Sequence, residues 1–212
     1  MSENIEVFTQ NSIRITCSAG RIYIDPFKMK EEPHDADIIL ITHEHYDHFS
    51  PDDIKKVSKS GTVIVVPEKM LSKAKETVGN SFQIVTVKPS ERKNIGKLEF
   101  ETLPAYNKAK QFHPKAAEWV GYIVNADGKR VYIAGDTDAT EEARKVKCDV
   151  ALVPIGGTYT MDPKEAAELV NEIKPQIAIP VHYGDVVGSP EDGKTFKENV
   201  KPPVKVELKI SF

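Results

Sequence analysis

The 212-residue chain is predicted to be an α/β protein in which strands of mixed sheets alternate with helices. Three observations lead there. Early segments alternate apolar and polar residues at period two, as in Ile13-Arg14-Ile15-Thr16 and Arg21-Ile22-Tyr23-Ile24-Asp25, the pattern of half-buried strands. The runs 37–42 and 63–66 are continuously apolar in their middles, as strands buried on both faces are. Proline-containing helix starts recur at Ser50-Pro51-Asp52-Asp53, Asp162-Pro163-Lys164-Glu165 and Ser189-Pro190-Glu191-Asp192.

In chain order, Ser18-Ala19-Gly20 is a turn between the first two period-two strands, so an antiparallel meander is expected. Strand 37–42 is followed by a helix with Ser50 as N-cap, Pro51 at its first position and Asp53 three residues past the cap. Further strands are expected at 82–87, 97–103, 119–125, 130–134, 150–153, 176–180 and 204–209. Asn125-Ala126-Asp127-Gly128 is the hairpin turn between two of them. A helix runs from Pro163 to about Ile173, and a shorter one opens at Ser189-Pro190. No linker, low-complexity stretch or repeat of about 20–50 residues divides the chain, so residues 1–212 are expected to form a single domain. Its two halves share a strand-rich, then helix-containing order, the pattern of a duplicated sandwich.

Composition narrows the function. With 40% hydrophobic and 29% charged residues the chain is neither disordered nor fibrous. A net charge of −3 gives no electrostatic reason to bind polyanions, so a nucleic-acid partner is disfavoured. No apolar run is long enough for a membrane span, and the start Met1-Ser2-Glu3-Asn4 lacks the features of an export signal; a cytoplasmic protein is expected. Cys17 and Cys148 stand far apart outside any Cys-x-x-Cys pattern, as idle thiols of a reducing compartment do.

The chemistry concentrates at strand ends. After the strand ending at Thr42 comes His43-Glu44-His45-Tyr46-Asp47-His48, four ligand-type residues in six, although the chain has only 6 His in all. Neutral imidazoles and a carboxylate suit divalent first-row metals, and a single tetrahedral ion could not easily use all four. Ala134-Gly135-Asp136-Thr137-Asp138 and Pro180-Val181-His182-Tyr183-Gly184 each again place one such residue after an apolar strand. Strand ends are rigid posts from which a shared site can be held.

Together, the His-x-His-x-Asp-His loop, Gly-Asp-Thr-Asp and Pro-Val-His-Tyr-Gly resemble the metallo-β-lactamase superfamily, and Tyr23-Ile24-Asp25-Pro26-Phe27 and Val153–Met161 suggest its small metal-dependent hydrolases. The resemblance covers nearly the whole chain. It implies a four-layer αββα sandwich with two divalent metal ions along one edge, zinc first, with manganese or iron as alternatives. By the same resemblance His43, His45 and a third His hold one ion, Asp47, His48 and His182 the other, and Asp136 bridges them. A hydroxide between the ions would attack an ester, lactone, amide or phosphodiester of a small-molecule substrate, with Asp47 also orienting it. The catalytic residues implied are Asp47 and Asp136.

One position departs from the superfamily pattern. Where a strand would deliver the third His directly, the chain reads Pro104-Ala105-Tyr106-Asn107, and the nearest His is His113. Either His113 folds back to the metal, or Asn107 or a water substitutes. If neither binds, a metal-binding but non-hydrolytic sensor or interaction protein becomes the alternative reading. Asp25 is read either as a partner that orients a ligating His or as a strand-closing acid; Asp138 as a turn residue; His34 as a surface residue. Thr158 and Tyr159 are candidate substrate contacts. Tyr106, Lys108, Lys110, Phe112 and Trp119 are either a mildly positive lid or a solvated loop around a buried Trp.

Overall fold

The first sheet forms because apolar residues alternate along its strands. The computed structural model describes residues 2–79 and 82–212. Strands β1 (Ile5–Thr9), β2 (Ser12–Cys17), β3 (Gly20–Ile24), β4 (Ala36–Leu40), β5 (Ser58–Pro67) and β6 (Gln83–Val87) pair in that order. The first three are antiparallel, as the meander requires, and β3 to β6 are parallel. Ile22, Ile24, Ile38, Leu40 and Val65 point to the main core. The intervening Tyr23, Ile39, Ile64 and Val66 face a second apolar cluster with Ile54 and Val57 of α1 (Pro51–Val57) and Ala74 and Val78 of α2 (Leu71–Val78).

The second sheet has the order β13-β12-β11-β10-β9-β8-β7. Its strands are β7 (Arg92–Ile95), β8 (Leu98–Pro104), β9 (Val120–Ala126), β10 (Lys129–Ile133), β11 (Val150–Pro154), β12 (Ile177–Val181) and β13 (Lys205–Val206). Helices α3 (Pro163–Ile173) and α4 (Asp192–Asn199) supply Ala166, Leu169, Val170 and Phe196 to the same core. The layers are thus helices, sheet, sheet, helices. Asp127 and Gly128, at φ 52° and 80°, close the β9–β10 hairpin as expected.

This topology gathers chain ends at one edge. β8 and β10 run the same way, since each is antiparallel to β9, and β10, β11 and β12 are parallel. Their C-terminal ends therefore lie together. The edge is tied to the end of β4 by Val120 N donating to Thr42 O at 3.1 Å and the Tyr122 hydroxyl donating to Ile41 O at 2.7 Å. Gly135, at φ 66°, lets the chain leaving β10 approach this point; a Cβ there would sit 3.2 Å from Thr42 Cβ.

Several sequence expectations need correction. Ser50 does not cap α1 through its side chain; its hydroxyl donates to Asp53 at 2.7 Å, because that carboxylate is already anchored by Lys28 N and Met29 N, both at 2.9 Å. The helix after Ser189 begins at Asp192, whose carboxylate instead accepts from Ser189 N. By contrast, Asp162 and Glu165 form a full capping box. The last strand is only Lys205–Val206, since the tail then turns toward β1, where Lys209 Nζ donates to Ser2 O and Ile5 O. Helix α2 escaped the sequence reading because it grows out of a 3-10 turn and has no capping side chain.

Two predictions follow from this packing. Replacing Tyr122 with Phe leaves the Ile41 carbonyl short of its buried donor and should cost about 1–2 kcal/mol, read as a lower urea midpoint. Burial pushes the Cys148 thiol up to about 12 and the Cys17 thiol up less far. Both are free. Native protein at pH 8 should therefore react with a disulfide reagent far more slowly than protein unfolded in guanidinium, and equal rates would refute that assignment.

Candidate metal centre

Every donor residue expected from the sequence arrives at this one edge. His43, His45, Asp47 and His48 follow β4, His113 closes a loop after β8, Asp136 follows β10 and His182 follows β12. All but His45 are buried. Their ligand atoms form three overlapping groups, His43/His45/His113, His43/His48/Asp136 and Asp47/His48/His182, with the atoms of each group within 4.8 Å of one another. Asp136 spans the set. Its Oδ2 lies 3.3 Å from His113 Nε2, 3.4 Å from His182 Nε2 and 3.9 Å from His43 Nε2, and its Oδ1 lies 3.4 Å from His48 Nε2.

The far side of each ring decides which nitrogen faces inward. Asp25, fully buried at φ 44°, accepts from Asn11 Nδ2 (2.7 Å), Thr42 N (2.8 Å), the Thr42 hydroxyl (2.5 Å) and His48 Nδ1 (2.7 Å). With its proton given to Asp25, the Thr42 hydroxyl can only accept from His43 Nδ1, at 3.0 Å. Asn107 Oδ1 accepts from His113 N (3.1 Å) and from His113 Nδ1 (2.9 Å), while Asn107 Nδ2 donates to Asp138 Oδ1 and Tyr159 O, so its orientation is fixed. In His43, His48 and His113 the Nδ1–H is thus spent outward and the Nε2 lone pair points inward, the arrangement that ligating imidazoles need.

The charges of the metal-free cluster are coupled: burial opposes protonation of His48, yet Asp136 and Asp25 hold it well above the usual imidazole range. Burial, then the neighbouring His48, holds His43 well below the usual imidazole range, and burial with His113 lowers His45. Burial opposes ionisation of Asp136, yet His182 and His48 hold its carboxyl well below the usual carboxylate range. Asp47 is lowered likewise by His182 and His48. The buried His113 Nε2, Asp136 Oδ1 and His182 Nδ1 make no hydrogen bond. His48 Nε2 and His182 Nε2 face each other at 3.2 Å, and His43 Nε2 and His45 Nδ1 at 3.0 Å. Unpaired lone pairs converging in a largely buried pocket are costly without a positive charge among them, so these residues fit divalent metal ions.

A family model described as a beta-lactamase superfamily domain matches residues 4–182. The chain belongs to the beta-lactamase superfamily. Within that superfamily it is similar to the UPF0173 metal-dependent hydrolase of Thermococcus onnurineus, 33% identical over 196 residues that span 85% of this chain and 84% of the relative. A crystal structure from Parabacteroides distasonis, of a protein called a metal-dependent hydrolase, matches with a TM-score of 0.80 at 32% identity, over 98% of this chain and 93% of that one. A diiron β-hydroxylase from Streptomyces venezuelae matches at a TM-score of 0.76 and 15% identity, over 96% of this chain and 52% of that one, a likeness of fold alone.

In this beta-lactamase superfamily member the departure at Asn107 has a structural account. Asn107 stands behind His113 rather than replacing it, and residues 107–113 make a closed strap. Asp138 is more than a turn residue: it accepts from Asn107 Nδ2 (3.1 Å), Lys108 N (2.8 Å) and Lys110 Nζ (2.8 Å). Trp119 is buried, with ring centroids 5.0 Å from His43, 4.9 Å from His45 and 5.6 Å from His113. It forms an apolar wall, and Phe112 is the exposed aromatic residue of the strap. His34 lies away from the centre, with Nδ1 3.0 Å from Ser58 O. Asn11 and Thr42 were missed by the sequence reading, since a single Asn or Thr carries no signal until Asp25 gathers them.

A cleft of about 620 Å³ runs along β1 beside Phe8, Arg14, Lys28, Met29 and Phe212, and none of the seven donors lines it. Asn107→Ala should lower metal affinity by roughly 10–100-fold, the usual loss when an outer partner of a ligating His is removed. Titration of metal into stripped protein checks this, and unchanged affinity would mean that His113 needs no support.

Proposed function

We propose that this superfamily member hydrolyses a small-molecule ester, lactone, amide or phosphodiester, using two divalent cations, zinc first, held by His43, His45, His113, Asp47, His48 and His182 with Asp136 between them. The observation that carries the reading is the convergence of seven donor side chains, three of whose rings (His43, His48 and His113) have the outward nitrogen committed to a fixed partner. Such commitment selects one tautomer and one orientation before any ion arrives, which is what a preorganised centre requires. The non-hydrolytic alternative rests on a missing third His, and the approach of His113 to the ligand atoms of His43 and His45 weighs against it.

Two bound cations would supply a water of lowered pKa and polarise the scissile oxygen. The chain's own groups do the rest. Asp136, kept ionised by His182 and His48, has Oδ1 toward His48 of one half and Oδ2 toward His113 of the other. Asp47, also ionised, with Oδ2 at 3.2 Å from His182 Nε2, would help hold a cation and orient a water beside it. Trp119 keeps solvent from the flank of His43 and His45.

Residues 1–212 are proposed to act as one domain, because both sheets contribute to one apolar core. Two free cysteines support a reducing, cytoplasmic setting. No helix among the described residues is long and apolar enough to cross a membrane.

Untagged protein, exhaustively desalted and measured by plasma mass spectrometry, should carry about two ions per chain. Chelation should abolish hydrolysis, and re-addition of Zn²⁺, Mn²⁺ or Fe²⁺ should identify the metal that restores it. His45→Ala and Asp136→Ala should reduce turnover by more than about a hundredfold while the thermal midpoint of the stripped protein stays within a few degrees. Loss of activity only together with global unfolding, or undiminished turnover in Asp136→Ala, would defeat the assignment.

A further inference from the structure

Among the described residues, four large apolar side chains are exposed, and two of them adjoin donors. Tyr46, 66% exposed, sits between His45 and Asp47; Phe112, 48% exposed, directly precedes His113. Consecutive Cα atoms lie about 3.8 Å apart, so each ring is rooted one residue from a donor. One adjoins the Asp47/His48/His182 group and the other the His43/His45/His113 group.

Neither ring hangs free. Phe27, buried, meets Tyr46 edge-on with centroids 5.9 Å apart and planes at 75°. Tyr159, whose carbonyl accepts from Asn107, meets Phe112 edge-on at 4.7 Å and 87°. These are favourable edge-to-face contacts that hold each ring in place while much of its surface stays in water. Scattered exposed apolar residues need no explanation, but two propped aromatic rings, each one residue from a donor of the same buried cluster, single out this part of the surface.

The charges nearby are already matched. Lys28 pairs with Asp185 at 2.7 Å, Lys73 with Glu44 at 3.0 Å, Lys110 with Asp138 at 2.8 Å and Lys115 with Glu142 at 2.9 Å. The five arginines are all paired with carboxylates away from the donors: Arg14 with Glu6, Arg21 with Asp35, Arg92 and Arg130 with Glu101, and Arg144 with Glu172. Among the described residues, Lys108 is the cation of the strap with no carboxylate within 4.0 Å. A phosphate group is best gripped by a guanidinium fork or converging cations, and here one lysine is left to do so.

We propose that Tyr46 and Phe112 are the substrate-binding walls of the centre and select an uncharged ester, lactone or amide bearing an apolar or aromatic group over a phosphodiester. The assignment rests on the hydrolase reading above and chooses among the bonds which that reading leaves open.

Metal-loaded full-length protein and its variants would be assayed on 1-naphthyl acetate, ethyl acetate and bis(4-nitrophenyl) phosphate, with metal content measured for each. Tyr46→Ala and Phe112→Ala should each raise KM for 1-naphthyl acetate about tenfold relative to KM for ethyl acetate, with the loss in KM rather than kcat. Phe112→Tyr and Tyr46→Phe should restore it, and Lys108→Ala should leave turnover of 1-naphthyl acetate unchanged. Equal effects of the alanine variants on both esters, or a loss of metal that tracks the loss of activity, would mean a structural role and overturn the proposal. So would a phosphodiester KM below that of the naphthyl ester and rising in Lys108→Ala. Wild-type protein that holds two ions and turns over none of the three would instead sink the hydrolase reading itself, and this assignment with it.

Discussion

Five imidazoles and two carboxylates turned toward one another in a largely buried pocket are a standing electrostatic conflict, and most of the surrounding structure serves to hold it in place. Left to itself, such a cluster would splay apart or fill with protons and water. Here the outward atoms of three rings are committed first. Asp25 takes His48 and, through the Thr42 hydroxyl, governs His43, while Asn107 takes His113. A single buried carboxylate with four donors therefore sets the orientation of two rings in the loop after β4 and the start of that loop itself.

The sheets make this arrangement possible by placing chain ends rather than chain middles at the site. Residues within a strand are bound by the ladder and point up or down at period two, whereas the first residues beyond a strand can turn inward. His182 does so at φ 56°, just after β12. Gly156 has no Cβ where one would lie 2.5 Å from His182 O, so the neighbouring loop after β11 can pack against it. The two sheets are brought into line at this edge by Tyr122 and Val120, which bond the end of the donor-bearing strand from across the core.

Much of this was legible in the sequence because strong local patterns carried it. Buried parallel strands announce themselves as apolar runs, and the His-rich hexapeptide after Thr42 has no ordinary structural use. What was not legible depended on long-range partners. Whether Asn107 or His113 faced the centre turns on a side chain closing a loop on its own far end, and the role of Asp138 on where that loop lands. Helix α2 has no capping signal to read, and the final strand was cut short by a lysine reaching back to the first. Ser50 carries a good capping pattern that the demands of Lys28 and Met29 on Asp53 overrode.

The strap between Asn107 and His113 separates two things that most strand-end ligands combine. Asn107 N donates to His113 O at 2.8 Å, and the Asn107 side chain holds the His113 backbone and ring, so the loop is clamped at its neck. The residues between are linked to that neck through Asp138, which Lys108 N and Lys110 Nζ share with Asn107. Mechanically the strap is a clasp: its neck fixes the imidazole, and its crown, tied down through Asp138, forms the cover over that side of the centre.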